Sequence, residues 1–126
     1  MSWVLVVDDE ASVTRLIQLR LEAEGYDVDV APNGAAALVK LAARDYDVLI
    51  SDLCMPRLNG QELVEAVRKE TRNDALRIFV VSSRPEEDYR SWTLDHPGVV
   101  FLEKPLSLRA LIARLKAGET VEGASS

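Results

Sequence analysis

Apolar residues gather in five short runs, separated by longer segments in which they recur at helical spacing. The runs are Trp3 to Val7, Asp27 to Ala31, Asp47 to Ser51, Arg77 to Ser82 and Val99 to Leu102. In Val4-Leu5-Val6-Val7, Val48-Leu49-Ile50 and Ile78-Phe79-Val80-Val81 the apolar positions are continuous, the pattern of strands covered on both faces. Val28-Asp29-Val30 alternates instead, as a half-exposed edge strand does.

Helical segments fill the intervals. Val13, Leu16, Ile17 and Leu21 form an apolar stripe, with Arg15, Gln18 and Glu22 opposite. The Ala-rich stretch from Ala35 to Ala43 favours a helix, and Asn33 is placed to cap it. Leu63, Val64 and Val67 mark a third helix. Pro85 and the acidic Glu86, Glu87 and Asp88 suit the first turn of a fourth, which carries Tyr89 and Trp92 on one face and stops at His96-Pro97-Gly98. Leu108, Leu111, Ile112 and Leu115 stripe a fifth, with Ser107 as N-cap and Gly118 just past its end. Strands alternating with helices predict an α/β fold with parallel pairing, and five strands in this rhythm favour an open, doubly wound sheet. In such sheets ligands bind beyond the carboxyl ends of the strands.

A chain of 126 residues suits one domain, expected over 1–118, with 119–126 as a polar tail or the start of a linker. The net charge of −6 and the lack of a basic patch argue against direct nucleic-acid binding. With Cys54 as the only cysteine, no intramolecular disulfide can form. No stretch resembles a signal peptide or is apolar for long enough to span a bilayer, so a cytoplasmic protein without membrane association is expected.

The predicted strand ends carry the candidate chemistry. The first runs into Asp8-Asp9-Glu10, the third into Asp52, the fourth ends at Ser82-Ser83, and the fifth runs into Glu103-Lys104-Pro105. In a parallel sheet these groups converge on one rim. Two unpaired carboxylates about 4 Å apart would repel by on the order of 4 kcal/mol at an effective dielectric near 20, so a cation is required. Lys104 is one candidate and a divalent ion the other; carboxylates, a backbone carbonyl and waters are the ligand set Mg²⁺ prefers. A carboxylate can accept a phosphoryl group, and such a transfer needs positioning and charge neutralisation above all. Asp52 would then attack, Asp8 and Asp9 would hold Mg²⁺, and Lys104 and the Ser82 hydroxyl would pair with phosphoryl oxygens. Singly, each of these residues is an ordinary turn, cap or surface residue; the conjunction carries the reading.

Together the segments Val6-Val7-Asp8-Asp9-Glu10, Ser51-Asp52-Leu53-Cys54-Met55-Pro56 with Asn59-Gly60, Val81-Ser82-Ser83 and Phe101-Leu102-Glu103-Lys104-Pro105 resemble the receiver domains of bacterial two-component response regulators, over roughly Trp3 to Lys116. The resemblance implies a CheY-like, flavodoxin-like sheet of order 2-1-3-4-5 with five helices. It implies that Asp52 takes a phosphoryl group from the phosphohistidine of a sensor histidine kinase or phosphotransfer protein. Acetyl phosphate would be able to substitute as donor. Mg²⁺ would be held by Asp8, Asp9, Asp52 and the backbone carbonyl of Cys54. It further implies that Ser82 and Phe101 act as a switch remodelling the surface of the fourth helix, fifth strand and fifth helix, which controls a downstream protein partner or output domain. Cys54, Ser83 and Arg84 fall at positions that tune the phosphoryl lifetime, and Lys104-Pro105 matches a cis peptide of the family. Arg114 matches an arginine used in dimerisation through that surface, but Val99 and Val100 replace its acidic partners.

Three other readings compete. A phosphatase or mutase resembling the haloacid dehalogenase family would need a second aspartate two residues past the first, where Cys54 stands. A flavin or nucleotide module would need a glycine-rich phosphate loop where the chain has Asp8-Asp9-Glu10. A receiver-like interaction module that is never phosphorylated would be expected to have lost principal site residues, and none is missing. The expected role is therefore a phosphoacceptor switch rather than an enzyme acting on a separate substrate.

Overall fold

The computed structural model describes residues 2–52, 63, 76–82 and 99–125. Five parallel strands form one sheet: β1 (Trp3–Val7), β2 (Asp27–Ala31), β3 (Val48–Asp52), β4 (Arg77–Ser82) and β5 (Val100–Glu103), in the order β2-β1-β3-β4-β5. The described helices are α1 (Ala11–Ala23), α2 (Gly34–Ala43) and α3 (Leu108–Ser125), the last being the fifth predicted from sequence. The third and fourth predicted helices lie outside the described residues, apart from Leu63, which is fully buried.

The strand alternation sorts side chains into two cores, one on each face. Leu5, Val7, Leu49, Ile78 and Val80 pack with Ala37 and Leu41 of α2 and with Leu63. Val4, Val6, Val48, Ile50, Phe79 and Val81 pack with Ile17 and Leu21 of α1 and Leu111, Ile112 and Leu115 of α3. Continuous apolar runs thus become central strands because both faces of each are dry. The edge strand β2 keeps Asp29 half-buried, where its carboxylate accepts from the Tyr46 hydroxyl and faces the Arg44 guanidinium at 3.7 Å; that guanidinium also stacks on the Trp3 ring.

Local chemistry sets the helix ends. Asn33 Oδ1 accepts from the Ala36 N–H at 2.8 Å and starts α2, and Ser107 Oγ accepts from the Ala110 N–H at 3.2 Å and starts α3. At the end of α1 the Tyr26 N–H donates to Leu21 and the Gly25 N–H to Glu22, a Schellman turn that requires a positive φ, here +95° at Gly25. Tyr26 then packs in the same cluster as Leu21.

Three expectations shift. Leu16, placed in the buried stripe of α1, is 56% exposed, and Thr14 is buried instead; the inward arc runs through Thr14, Ile17 and Leu21, leaving Leu16 on its rim. α3 continues past Gly118 to Ser125, through a predicted tail that contains good helix formers. Each of the two strands bordering the site sits one residue later than expected, because the β3–β4 ladder reaches Asp52↔Val81 and the β4–β5 ladder reaches Ser82↔Glu103.

Candidate functional site

The parallel register brings the carboxyl ends of β1, β3, β4 and β5 to one rim. Val6 and Asp8, and Ile50 and Asp52, share strand parity, so the two aspartates extend the rows of the core that faces α1 and α3. Asp52 closes β3 and is only 6% exposed, a rare position for a carboxylate without a partner. Lys104 supplies one: its Nζ lies 2.7 Å from Asp52 Oδ1. Lys104 follows β5, and its flexible four-carbon stem returns the ammonium across the end of β4. The Lys104–Pro105 peptide is cis.

One carboxylate oxygen from each of Asp8, Asp9 and Asp52 falls within 4.8 Å of the others. Asp8 and Asp9 sit in the β1–α1 connection, where the Glu10 N–H donates to Asp8 Oδ1 at 2.9 Å, an Asx turn that orients that carboxylate. Desolvation, above all, raises the Asp8 carboxyl to about 6; the Glu10 bond opposes the rise, while the Asp52 charge and the hydrogen bond and charge of Asp9 add to it. Three clustered oxygen ligands whose mutual repulsion raises a pKa form a set that a hard divalent cation fits. A cavity of about 520 Å³ opens beside them, with Asp8, Glu10, Asp52 and Lys104 at its polar side and Val13, Leu16, Leu106 and Leu108 among its apolar lining.

The other predicted site residues divide. Ser82 ends β4 opposite Glu103, at the same rim. Phe101 lies beside Val80 in the ladder and packs half-buried against the core on the α2 side, away from the carboxylates. Cys54, Ser83 and Arg84 lie outside the described residues, as do Tyr89, Trp92 and His96. Sequence reasoning did not foresee the Glu10 N–H as the donor that fixes Asp8, although an aspartate two residues before a helix N-cap is a usual setting of an Asx turn.

Residues 4–116 match the response regulator receiver domain family, and the chain belongs to it. Its role is accordingly that of a phosphoacceptor domain in two-component signalling. It is 32% identical over 117 residues to the response regulator ArlR of Staphylococcus saprophyticus, covering 93% of this chain and 52% of ArlR. The chain spans about half the length of the curated relatives it matches. Among solved structures, the chemotaxis protein CheY4 of Vibrio cholerae superposes with a TM-score of 0.85 at 30% identity, covering 93% of this chain and 98% of CheY4. The response regulator TrrA of Thermotoga maritima, solved in complex with Mg²⁺–BeF, superposes with a TM-score of 0.77 at 32% identity, covering 93% of this chain and 98% of TrrA. No described helix is long and apolar enough to cross a membrane.

Proposed function

We propose that Asp52 accepts a phosphoryl group, in a Mg²⁺-dependent reaction, from the phosphohistidine of a sensor histidine kinase or phosphotransfer protein. The observation that carries this is a buried carboxylate at a strand end, ion-paired to Lys104 and joined by two further carboxylates. An Asp52 carboxylate oxygen forms the new bond to phosphorus, the phosphorus–nitrogen bond of the donor breaks, and the imidazole leaves with the electron pair. Asp8, Asp9, Asp52 and the Cys54 carbonyl would hold Mg²⁺, which when bound supplies positive charge to the transferring phosphoryl oxygens. Lys104 pairs with one such oxygen and the Ser82 hydroxyl donates to another. Cys54, Ser83 and Arg84 tune how long the acyl phosphate lasts.

The consequence is conformational. The phosphoryl group adds charge at the ends of β3 to β5, Ser82 and Phe101 respond, and the surface carrying β5 and α3 changes what it binds. The receiver domain spans 1–118, works in the cytoplasm, and acts on a protein partner or output domain rather than on a separate substrate. Incubation with acetyl phosphate followed by intact mass measurement tests the assignment. One phosphoryl adduct is expected with Mg²⁺, and none with a chelator or in Asp52→Asn. An adduct that persists in Asp52→Asn refutes Asp52 as acceptor, and no adduct from acetyl phosphate or from any phosphorylated kinase makes this chain a non-phosphorylated interaction module.

A further inference from the structure

Among the described residues, the buried polar side chains other than tyrosine are Thr14, Ser51 and Asp52. Thr14 spends its hydroxyl on the Ala11 carbonyl within its own helix. Ser51 is different. It is 0% exposed, it precedes Asp52, and by strand alternation its side chain points to the opposite face of the sheet. There its neighbours across the ladders are Val7 and Val80, both in the apolar core on the α2 side. An alanine or valine would suit that core, because a buried hydroxyl costs free energy unless it is bonded. The Ser51 hydroxyl donates to the main-chain carbonyl of Asp52 at 3.0 Å.

β1 pairs with β3 only as far as Val7↔Ser51, whereas β4 pairs with β3 to Asp52↔Val81. Asp52 thus closes β3, one residue past the last pair of its ladder to β1. Asp52 is also the residue whose carboxylate must meet Lys104 and the acidic pair.

We propose that Ser51 is a positioning residue for phosphoryl transfer: from the far face of the sheet its hydroxyl fixes the Asp52 peptide, and so holds the Asp52 carboxylate in line with the acidic pair and Lys104. The proposal rests on the reading of Asp52 as acceptor. Ser51 touches neither donor nor phosphoryl group and acts only through the backbone of its neighbour. A displacement of about 1 Å in a reacting group costs on the order of a hundredfold in rate, so a loosened peptide should cost roughly tenfold.

The test uses the intact chain with Ser51→Ala, which removes the hydroxyl, and Ser51→Thr, which keeps it. Two readouts are taken: the carbonyl ¹³C resonance of Asp52 by NMR in chelator, and the rate of phosphorylation by acetyl phosphate at saturating Mg²⁺. Ser51→Ala should move the Asp52 carbonyl resonance and slow phosphorylation about tenfold while unfolding as cooperatively as the wild type. Ser51→Thr should restore both. Wild-type rates in Ser51→Ala, an unmoved carbonyl resonance, or equal losses in both variants tracking lost stability would each overturn the proposal and leave Ser51 a packing residue. If the wild type itself takes up no phosphoryl group from acetyl phosphate or kinase, the reading of Asp52 fails instead, and Ser51 has no such reaction to serve.

Discussion

Replacing Lys104 with methionine removes the positive charge beside Asp52 while keeping an apolar stem of similar length. The Nζ–Oδ1 distance of 2.7 Å corresponds to a gross attraction of about 1.5 kcal/mol in bulk water and about 6 kcal/mol at an effective dielectric near 20. The two partners sit between those limits, since Asp52 is 6% exposed and Lys104 39%. Breaking a fully buried pair costs about 3–5 kcal/mol and an exposed one at most about 1, so Lys104→Met should destabilise the fold by about 2 kcal/mol. The loss comes mainly from leaving the Asp52 charge beside Asp8 and Asp9, where each pair repels by on the order of 3 kcal/mol at that dielectric. Urea denaturation at neutral pH reads this as a midpoint lower by about 1 M with an unchanged slope. Mg²⁺ should return more stability to Lys104→Met than to the wild type, because a cation at the same carboxylates replaces the missing charge. Asp52→Asn, which removes the repulsion, should cost little, and the double variant should show a coupling of at least about 1 kcal/mol. A loss under about 0.5 kcal/mol, together with an unchanged Mg²⁺ response, would show that Lys104 is not electrostatically coupled to the cluster.

Three further outcomes follow from the same geometry. Because the folded-state pKa of Asp8 rises from 3.8 to about 6, the folded protein holds that proton more tightly than the unfolded chain. The stability this confers is complete below about 4 and is lost as pH climbs to about 6. In chelator, wild type minus Asp8→Asn should therefore show a stability difference that falls across this window, and a flat difference would contradict it. Tyr46, pushed up to about 12 first by burial and then by donating to Asp29, should not ionise until strongly alkaline pH; Tyr46→Phe should cost about 1–2 kcal/mol by leaving the half-buried Asp29 with one donor fewer, measured by thermal or urea unfolding. Gly25→Ala should cost about 1 kcal/mol although no atom lies within 4 Å of the added carbon, because the strain is in the backbone at φ +95°; an unchanged midpoint would remove that explanation.

The order of the described elements, the five strands and the starts of α2 and α3 are legible in the sequence because each depends on local rules. A continuous apolar run in Ile78-Phe79-Val80-Val81 can be satisfied only by burial on both faces, and Asn33 and Ser107 supply caps within three residues of the N–H groups they bond. The strand-end residues could be nominated for the same reason: parallel strands must bring their carboxyl ends to one side. Their partnerships could not be read. Asp52 meets Lys104 across 52 positions of sequence only because β4 lies between their strands in the sheet, and the distance that sets the charge balance is a property of that register. Leu16 and Leu21 belong to the same periodic stripe, yet one ends exposed and the other buried, because a helix's inward arc depends on how it docks, not on its own period. Ser51 reads in sequence as one polar residue in an apolar run. That its hydroxyl bonds the main-chain carbonyl of Asp52 while its neighbours across the ladders are Val7 and Val80 is decided only by the packed sheet.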